Sequence, residues 1–396
     1  MESQSNWCSK SPLILTICRM RILHVIAALN PEAGGPPAIA IRLASAQGQL
    51  GHAVSIATVI PAPQASLESV PGSSQVAVRS GPDLADASLT SMVAAADVVH
   101  IHGVWDSLLR RATRAAHRAG VPYVFTPHGM LDPWSLNQKR LKKMIALAVV
   151  YRRMLRGSIF LHALTAEEAK LLALLRLGPP MEILPNGIFP EEFADHPPAG
   201  TFRRRLPELG DRPYVLFLGR LHHKKGLDYL ADAFAALAKK VPDARLVVAG
   251  PEEGEGEAFR RRIKSAGISD RVHLVGPLYG RDKLAALVDA ACFCLPSRQE
   301  GFSVAVLEAL ACGIPVVLSE HCNFPEVASS GAGVVVPLTT EALAGALEKM
   351  LTDPASARRM GAAGASLVRQ RYTWPSIAEQ SIAAYRRHGV VERPLI

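Results

Sequence analysis

Two glutamates separated by seven residues are the first candidates for chemistry in this chain. The segment reads EGFSVAVLE from Glu300 to Glu308, follows an apolar strand-like run, and predicts a helix that ends near Gly313. Eight residues of helix place the two carboxylates up to about 12 Å apart. A glycosidase pair needs roughly 5–9.5 Å, so the spacing favours carboxylates that bind separate hydroxyl groups of one extended ligand. The competing interpretation is that Glu308 is a partly buried, salt-bridged helix residue.

Two cations follow another predicted strand, in the segment GRLHHKKG from Gly219 to Gly226. The strand ends at Gly219 and a helix begins near Gly226, so Arg220 and Lys225 lie in the loop between them. A guanidinium fork and an ammonium point charge at the carboxyl end of a strand are suited to a diphosphate. A solvated basic turn is the simpler interpretation of this loop taken alone.

A glycine pair and a histidine follow strands in the first half of the chain. Gly34 and Gly35 allow backbone N–H groups to approach a phosphate, although such pairs also occur in ordinary turns. The loop is not GxGxxG and the chain has no Walker A sequence, which argues against the commonest dehydrogenases and nucleoside triphosphatases. His128, in TPHG, can hydrogen-bond or transfer protons at the same edge. His100 and His102 lack a third metal ligand and are interpreted as structural.

Short apolar runs that alternate with helical periodicity predict the scaffold for these residues. Twelve runs are expected to be strands buried on both faces, at 22–27, 54–59, 98–102, 123–126, 159–165, 181–184, 214–218, 245–249, 272–275, 291–295, 315–318 and 333–336. Such alternation implies parallel sheets, and this number of strands exceeds most single open sheets. We therefore predict an α/β protein with two doubly wound domains that share a cleft.

The domain boundary is predicted within 190–212, which is rich in Pro, Gly and charge and has no apolar period. An N-terminal domain then covers 20–195 and a C-terminal domain covers 205–373. Met20 opens the first clear strand, so 1–19 is interpreted as a disordered extension or a misassigned start. Thr165 and Glu168 predict a capping box at the start of a helix.

Composition excludes several classes of protein. The chain has 396 residues, 49% of them hydrophobic, with average Gly and Pro content, so collagen-like and disordered classes are excluded. Its six cysteines are too sparse for a disulfide scaffold, and Cys292 and Cys294 alternate as buried strand thiols. No pair of CxxC motifs predicts a structural metal. No signal-peptide core or membrane span is visible, so a cytoplasmic location is expected.

The net charge of +9 is concentrated in one region. Residues 110–160 carry eleven Lys and Arg against a single acid, Asp132. This region is either a pair of solvated helix faces or a surface that attracts phosphates, nucleic acid or an anionic membrane. A nucleic-acid partner is not expected, because no basic segment interleaved with aromatic residues accompanies the charge.

The motifs together resemble those of the family-4 glycosyltransferases, retaining enzymes of the GT-B fold, from about Met20 to the end of the chain. EGFSVAVLE is the most specific, supported by GRLHHKKG, PNGI at 185–188, TPHG and the Gly-Gly loop. The resemblance implies two Rossmann-like domains facing a central cleft, with the acceptor on the first and the nucleotide-sugar donor on the second. A terminal helix over 374–390 would cross back onto the first domain. HGMLDP after residue 127 suggests a subgroup that assembles surface polysaccharide or exopolysaccharide.

The resemblance also implies how the donor's diphosphate is bound. Arg220 and Lys225 would neutralise the leaving group, and backbone amides at Gly34–Gly35 and Ser303–Val304 would meet phosphate oxygens. No DxD sequence occurs in the chain, which fits catalysis without a metal or other cofactor. The sequence Pro36-Pro37 departs from the polar residue of many relatives and leaves the pose of that loop open.

The remaining implied roles concern the sugar. Glu300 would hold hydroxyl groups of the transferred hexose, Glu308 would hold the nucleotide ribose, and His128 would orient the sugar. Retention in this family is usually explained by front-face attack, so no enzymic nucleophile is expected. The residues expected in catalysis are therefore His128, Arg220, Lys225 and Glu300.

Several functions compete at this point. The first is a transferase with a glycan or lipid-linked acceptor, working at the inner face of a membrane through 110–160. A nucleotide-sugar epimerase or a sugar-phosphate synthase has the same fold. A non-catalytic carbohydrate-pathway protein is disfavoured, because a pseudoenzyme has no need to keep Arg220, Lys225, Glu300 and Glu308.

Overall fold

The computed structural model describes residues 19–30, 34–81, 84–138 and 140–392, which form two parallel sheets flanked by helices. The strands of the first sheet are β1 Arg21–Ile26, β2 Ala53–Thr58, β3 Val76–Ser80, β4 Val98–His102, β5 Tyr123–Thr126, β6 Phe160–Ala163 and β7 Met181–Ile183. Those of the second are β8 Tyr214–Leu218, β9 Arg245–Ala249, β10 Val272–Gly276, β11 Cys292–Leu295, β12 Val316–Ser319 and β13 Gly333–Val336. Their orders are β3-β2-β1-β4-β5-β6-β7 and β10-β9-β8-β11-β12-β13. Two doubly wound, Rossmann-like domains are thereby confirmed, and the predicted extension lies almost wholly outside the described residues.

Helices cover both faces of each sheet. In the first half they are α1 Gly35–Gln49, α2 Gln64–Glu68, α3 Asp86–Ala95, α4 Ser107–Ala119, α5 Pro133–Asn137, α6 Arg140–Ala146, α7 Arg152–Arg156 and α8 Ala166–Leu174. The rest are α9 Thr201–Arg205, α10 Leu227–Lys240, α11 Gly256–Ser265, α12 Gly280–Val288, α13 Val304–Ala311, α14 Glu326–Ser329, α15 Thr340–Thr352, α16 Pro354–Arg371 and α17 Trp374–Arg387. A π-helical segment, Leu147–Tyr151, makes α6 and α7 one continuous helical stretch. None of the described helices combines the length and apolar character needed to cross a membrane.

The central strands are near-continuous apolar runs in the sequence because both of their faces are buried. Every residue of β4, β8, β9, β11 and β12 is buried, and the two predicted strand thiols, Cys292 and Cys294, lie on β11. All twelve predicted strands are present, with ends shifted by a few residues. β3 was missing from the prediction, because only its first residue is fully buried and an exposed edge strand carries no continuous apolar run.

The chain passes between the two domains twice, and the two connecting segments lie next to each other. The N–H of Ile188 donates to the Tyr372 carbonyl at 2.9 Å, and the N–H of Trp374 donates to the Ile188 carbonyl at 2.8 Å. Gly187 allows this contact, since a Cβ there would lie 2.7 Å from the nitrogen of Trp374. From this point α17 runs back over the first domain and packs against α1. The first sheet thus depends on the last helix of the chain for part of its cover.

Candidate active site

All residues predicted for the site line a single cavity between the two domains, with a volume of about 520 Å³. They are Gly34, Gly35, His128, Arg220, Lys225, Glu300, Ser303, Val304 and Glu308. His128 lies just beyond β5, Arg220 just beyond β8 and Glu300 just beyond β11. The carboxyl ends of parallel strands are where ligands of such sheets bind, so the cavity occupies the expected edge.

Lys225 and Glu300 form an ion pair inside the cavity. Lys225 Nζ lies 2.6 Å from Glu300 Oε1, and the side chains are 17% and 10% exposed. Ser297 Oγ donates to the same oxygen at 2.5 Å. Gly226 permits this packing, because its φ is +67° and a Cβ there would lie 2.0 Å from the Pro296 carbonyl oxygen. With two donors on one oxygen, Glu300 is suited to hydrogen bonding rather than to nucleophilic attack.

Glu308 is both a cavity residue and a member of a salt bridge, so the two interpretations of its sequence context are compatible. Lys283 Nζ lies 2.6 Å from Glu308 Oε1, with side-chain exposures of 27% and 13%. Lys283 lies on α12 and also lines the cavity. Sequence reasoning missed it, because a lysine in the first turns of an amphipathic helix has no distinctive spacing.

Arg220 is turned away from the buried ion pair. Its Nη1 donates to Glu253 at 2.7 Å, and its side chain is 51% exposed. Arg220 and Lys225 therefore line the same cavity without sharing a partner. An exposed pair is worth little, so Glu253 does not strongly restrain the guanidinium.

The N-termini of α13 and α1 both line the cavity, and they differ in the number of backbone N–H groups that they offer to a ligand. Ser303 is the N-cap of α13 and makes no side-chain cap hydrogen bond, which leaves the first backbone N–H groups for another acceptor. Gly34, with φ of +91°, is the N-cap of α1. Pro36 and Pro37 follow in the first turn of α1 and have no N–H, so only the Gly34 and Gly35 amides remain there.

A buried glutamate holds the loop that carries His128. The N–H groups of Gly129 and Leu164 donate to the two oxygens of Glu168 at 2.8 and 2.7 Å. The Thr165 half of the predicted capping box is confirmed, because its Oγ1 accepts from the Glu168 N–H at 3.1 Å. The second bond of the predicted box, from the Thr165 N–H to the Glu168 carboxylate, is wrong, because that carboxylate accepts from the N–H groups of Leu164 and Gly129 instead. Burial raises the pKa of Glu168.

Five histidines pack together beneath the cavity, and the sequence pointed to three of them. They are His24, His100, His102, His128 and His162. Burial lowers the pKa of His24 and His162 to about 4 and that of His128 to about 3, and it holds the other two well below 6.5. All five are therefore neutral at pH 7. His24 and His162 were missed, because each is a single polar residue inside an apolar strand.

His24 also supplies the third metal ligand that His100 and His102 lacked in the sequence. The three rings stack with centroids 4.6 to 5.2 Å apart and interplanar angles of 13° to 23°. One ring nitrogen from each histidine lies within 4.8 Å of the other two, and His24 Nδ1 bonds His102 Nε2 at 2.8 Å. In this structure the three histidines are members of one hydrogen-bonded network.

Side chains from the two domains meet across the mouth of the cavity. Gln299 Nε2 donates to Asp132 Oδ2 at 2.5 Å, and Lys224 Nζ lies 3.5 Å from the centroid of the Trp134 ring. Burial raises the pKa of Asp132 to about 6, with Lys224 and Gln299 partly opposing the shift. Such contacts hold the domains together at one end of the cleft.

The fold and the cleft define an α/β protein of the GT-B class, and the comparisons with known proteins give its family. Residues 34–187 match the glycosyl transferase 4-like domain, and residues 199–367 match the glycosyl transferases group 1. The chain therefore belongs to the group 1 glycosyltransferases.

Curated relatives and solved structures are consistent with this assignment. One component of the phosphatidylinositol N-acetylglucosaminyltransferase of Homo sapiens is 25% identical over 296 residues, which is 74% of this chain and 58% of that protein. Alpha-maltose-1-phosphate synthase of Mycobacterium tuberculosis is 29% identical over 326 residues, 76% of this chain and 82% of that protein. The structure of HepE of Anabaena with UDP and glucose has a TM-score of 0.75 at 19% identity, covering 93% of this chain and 100% of that one. The chain thus matches little more than half the length of the human relative.

Proposed function

We propose that the protein transfers a hexose from a nucleoside diphosphate sugar to a glycan or lipid-linked acceptor, with retention of configuration and without a metal ion. The observation that carries the proposal is the cavity in which the Lys225–Glu300 ion pair lies with the N-termini of α1 and α13. Membership of the group 1 glycosyltransferases supports glycosyl transfer as the reaction class.

The chemistry follows from where charge develops. As the bond between the sugar's anomeric carbon and the diphosphate breaks, negative charge grows on the leaving phosphate, and Lys225 and helix amides stabilise it. The acceptor oxygen attacks the same face and gives its proton to a leaving phosphate oxygen. Glu300 holds sugar hydroxyls and Glu308 the ribose, so the chain supplies positioning and electrostatics rather than a nucleophile.

Nucleotide binding tests the donor class directly. Thermal unfolding should be followed with UDP, GDP, ADP and CMP, each with and without EDTA. A ligand of the native state raises stability by RT ln(1 + [L]/Kd), so the base preference appears as the largest shift in Tm. An EDTA-insensitive shift with one diphosphate is expected. No shift with any of them would contradict the proposal.

The acceptor side of the proposal rests on one surface of the first domain. Leu141, Ile145 and Val149 recur every fourth residue on the helical stretch 140–156 and are 76%, 56% and 76% exposed. Beside it, a groove of about 670 Å³ is lined by Arg110, Arg114, Arg118, Arg153 and Arg156. Exposed apolar side chains amid cations are the composition of a helix that lies on an anionic membrane.

Liposome flotation with phosphatidylglycerol and phosphatidylcholine vesicles tests this surface. The wild type should float with the anionic vesicles only, and Ile145→Gln/Val149→Gln should lose most of that binding. Leu174→Gln is the matched control, because Leu174 is 74% exposed on α8, outside this surface. Equal flotation of all three proteins would contradict membrane docking through 140–156.

Product analysis separates the remaining alternatives. Incubation with the preferred nucleotide sugar and no acceptor should leave the donor largely intact, because transfer needs an acceptor hydroxyl. Conversion of the free donor would indicate an epimerase. Transfer of the hexose to an added sugar 1-phosphate, with formation of a disaccharide phosphate and release of the nucleoside diphosphate, would favour a synthase, the kind of enzyme that the mycobacterial relative is named as.

A further inference from the structure

The five buried histidines belong to one chain of hydrogen bonds that begins at the cavity. Its members, in order from the cavity, are His128, His102, His24, Gln47, Tyr385, His100, Thr126, His162 and the Leu184 carbonyl. The heavy-atom distances range from 2.6 to 3.3 Å. A neutral imidazole has one donor and one acceptor nitrogen, so a fixed role at one end determines every role along the chain.

The inner end has a fixed role, because a backbone carbonyl only accepts. His162 Nε2 must therefore donate to the Leu184 carbonyl at 2.7 Å, which leaves His162 Nδ1 as an acceptor. The Thr126 hydroxyl donates to that Nδ1 at 2.9 Å, so its oxygen accepts from His100 Nε2 at 2.6 Å. His100 Nδ1 is then an acceptor in turn.

The middle of the hydrogen-bond chain passes through α17, and each donor and acceptor role there follows from the one before it. The Tyr385 hydroxyl donates to His100 Nδ1 at 2.6 Å, and its oxygen accepts from Gln47 Nε2 at 3.3 Å. Gln47 Nε2 also donates to Ser381 Oγ at 2.8 Å, and that hydroxyl donates to the Ala378 carbonyl at 2.7 Å. Two independent partners thus fix the orientation of the Gln47 amide.

The outer end leads to the cavity. Gln47 Oε1 accepts from His24 Nε2 at 2.7 Å, and His24 Nδ1 accepts from His102 Nε2 at 2.8 Å. His102 Nδ1 accepts from His128 Nε2 at 3.0 Å, so His128 Nδ1 carries no hydrogen. This buried nitrogen has no hydrogen-bond partner within the described part of the chain. A buried acceptor without a partner destabilises the unliganded protein, and a donor from a bound ligand would satisfy it.

We propose that this chain of hydrogen bonds fixes His128 as its Nε2–H tautomer. His128 Nδ1 then meets the bound sugar as a hydrogen-bond acceptor only. The inference rests on the proposed function and adds a selectivity to it. A sugar must present a hydroxyl donor to His128, and an analogue with a methoxy group or a hydrogen at that position is discriminated against. His24, His102 and Gln47 are then positioning residues that act through His128.

Nitrogen NMR of the full chain labelled with ¹⁵N-histidine tests the tautomer without any substitution or substrate. Long-range ¹H–¹⁵N spectra distinguish a nitrogen that carries hydrogen from one that does not. All five buried histidines are expected to be neutral Nε2–H tautomers at pH 7. An Nδ1–H tautomer or a charged ring at His128 would overturn the proposal.

A pair of variants tests whether the chain sets this tautomer. Gln47→Met removes the acceptor for His24 and should allow His128 to populate both tautomers. Tyr385→Phe is the matched control, because Ser381 still fixes the Gln47 amide, and His128 should remain Nε2–H. An unchanged His128 spectrum in Gln47→Met would show that the chain does not set the tautomer.

Affinity measurements connect the tautomer to the ligand. In Gln47→Met, binding of UDP-glucose or GDP-mannose should weaken about twofold to tenfold, the effect of one hydrogen bond, while UDP and GDP bind as in the wild type. Equal weakening of diphosphate and nucleotide sugar would indicate a structural role and overturn the proposal. If the wild type binds no nucleotide sugar of the base that thermal unfolding selects, the proposed function fails, whereas the NMR result still decides the tautomer.

Discussion

The two domains share a sheet topology but differ in what their buried strands carry beneath the cleft. β1, β4 and β6 carry four histidines, whereas β8, β11 and β12 carry apolar side chains, two thiols, one serine and one tyrosine. Below the cavity loops of the second domain lies an apolar core, and the charges there form ion pairs at the cavity wall. In the first domain a polar network passes through the core itself. The same fold thus positions its cavity side chains in two ways, by ion pairs on loops in one domain and by a hydrogen-bond chain through the core in the other.

Acidification should lower the free energy of unfolding of the first domain much more than that of the second, and this is the largest difference that we expect between them. Below pH 6.5 the unfolded chain protonates its histidines, whereas the buried ones stay neutral down to pKa values of about 3 to 4. Each lowers the free energy of unfolding by about 1.4 kcal/mol per pH unit in this window. We expect a loss of several kcal/mol between pH 6.5 and 5.5, measured by urea unfolding with tryptophan fluorescence.

The three tryptophans in the described part of the chain make this measurement report on the first half. Trp105 and Trp134 belong to the first domain, and Trp374 is buried in the core cluster that also contains α1. Hydrogen exchange of the amides in β8–β13 is the control, and their protection should change much less over the same pH range. Equal loss of protection in both sheets would remove the contrast between the domains.

Replacement of Lys225 should have the largest effect on the donor side. Lys225→Ala removes a cavity cation that is only 17% exposed and leaves Glu300 without its ion-pair partner. Loss of a charge-assisted contact to the diphosphate costs about 1.5–3 kcal/mol, or some tenfold to a hundredfold in affinity. Calorimetric titration with the nucleoside diphosphate preferred by the wild type measures the effect.

Two further variants serve as a control and a comparison for Lys225→Ala. Lys240→Ala is the matched control, because Lys240 pairs with Glu348 on the surface, away from the cavity, and should bind the diphosphate normally. Glu300→Gln should lower turnover more than diphosphate affinity, since the ligand proposed for Glu300 is the sugar. Normal diphosphate affinity in Lys225→Ala would contradict the assignment of Lys225.

Asp132, at the join between the halves, should show the opposite pH dependence. Its pKa of about 6 lies above the ordinary value of 3.8, so the native state binds the proton more tightly than the unfolded chain. The ionised carboxylate therefore costs stability, and this cost grows as pH rises from about 4 to 6 and is complete above pH 6. Asp132→Asn should raise the free energy of unfolding by about 1–3 kcal/mol at pH 7.5. The gain should vanish near pH 4 in the same urea titrations, and a gain independent of pH would indicate a packing effect instead.

The sequence predicted most of the scaffold and the wall of the cavity, but not the network beneath it. Strands buried on both faces are continuous apolar runs, and the loops after them carry recognisable residues such as those of EGFSVAVLE. His24 and Gln47 gave no such signal, because each acquires its partners from elements distant in sequence. Tyr385 is 338 residues from Gln47, and only the return of α17 brings them together. Likewise, the spacing in GRLHHKKG placed Arg220 and Lys225 in one loop without showing that they face different carboxylates.

Arg220 should therefore show the smallest effect and the clearest contrast with Lys225. Its guanidinium is half exposed and bonds Glu253, so water screens any contact that it makes to a phosphate. We expect Arg220→Ala to weaken diphosphate binding about twofold to fivefold, corresponding to at most about 1 kcal/mol. Titration at low and high salt sharpens the comparison, because the screened contribution of Arg220 should disappear at high salt while that of Lys225 persists. A loss as large as that of Lys225→Ala would mean that Arg220 leaves Glu253 when the donor binds, and that the two cations clamp the diphosphate together.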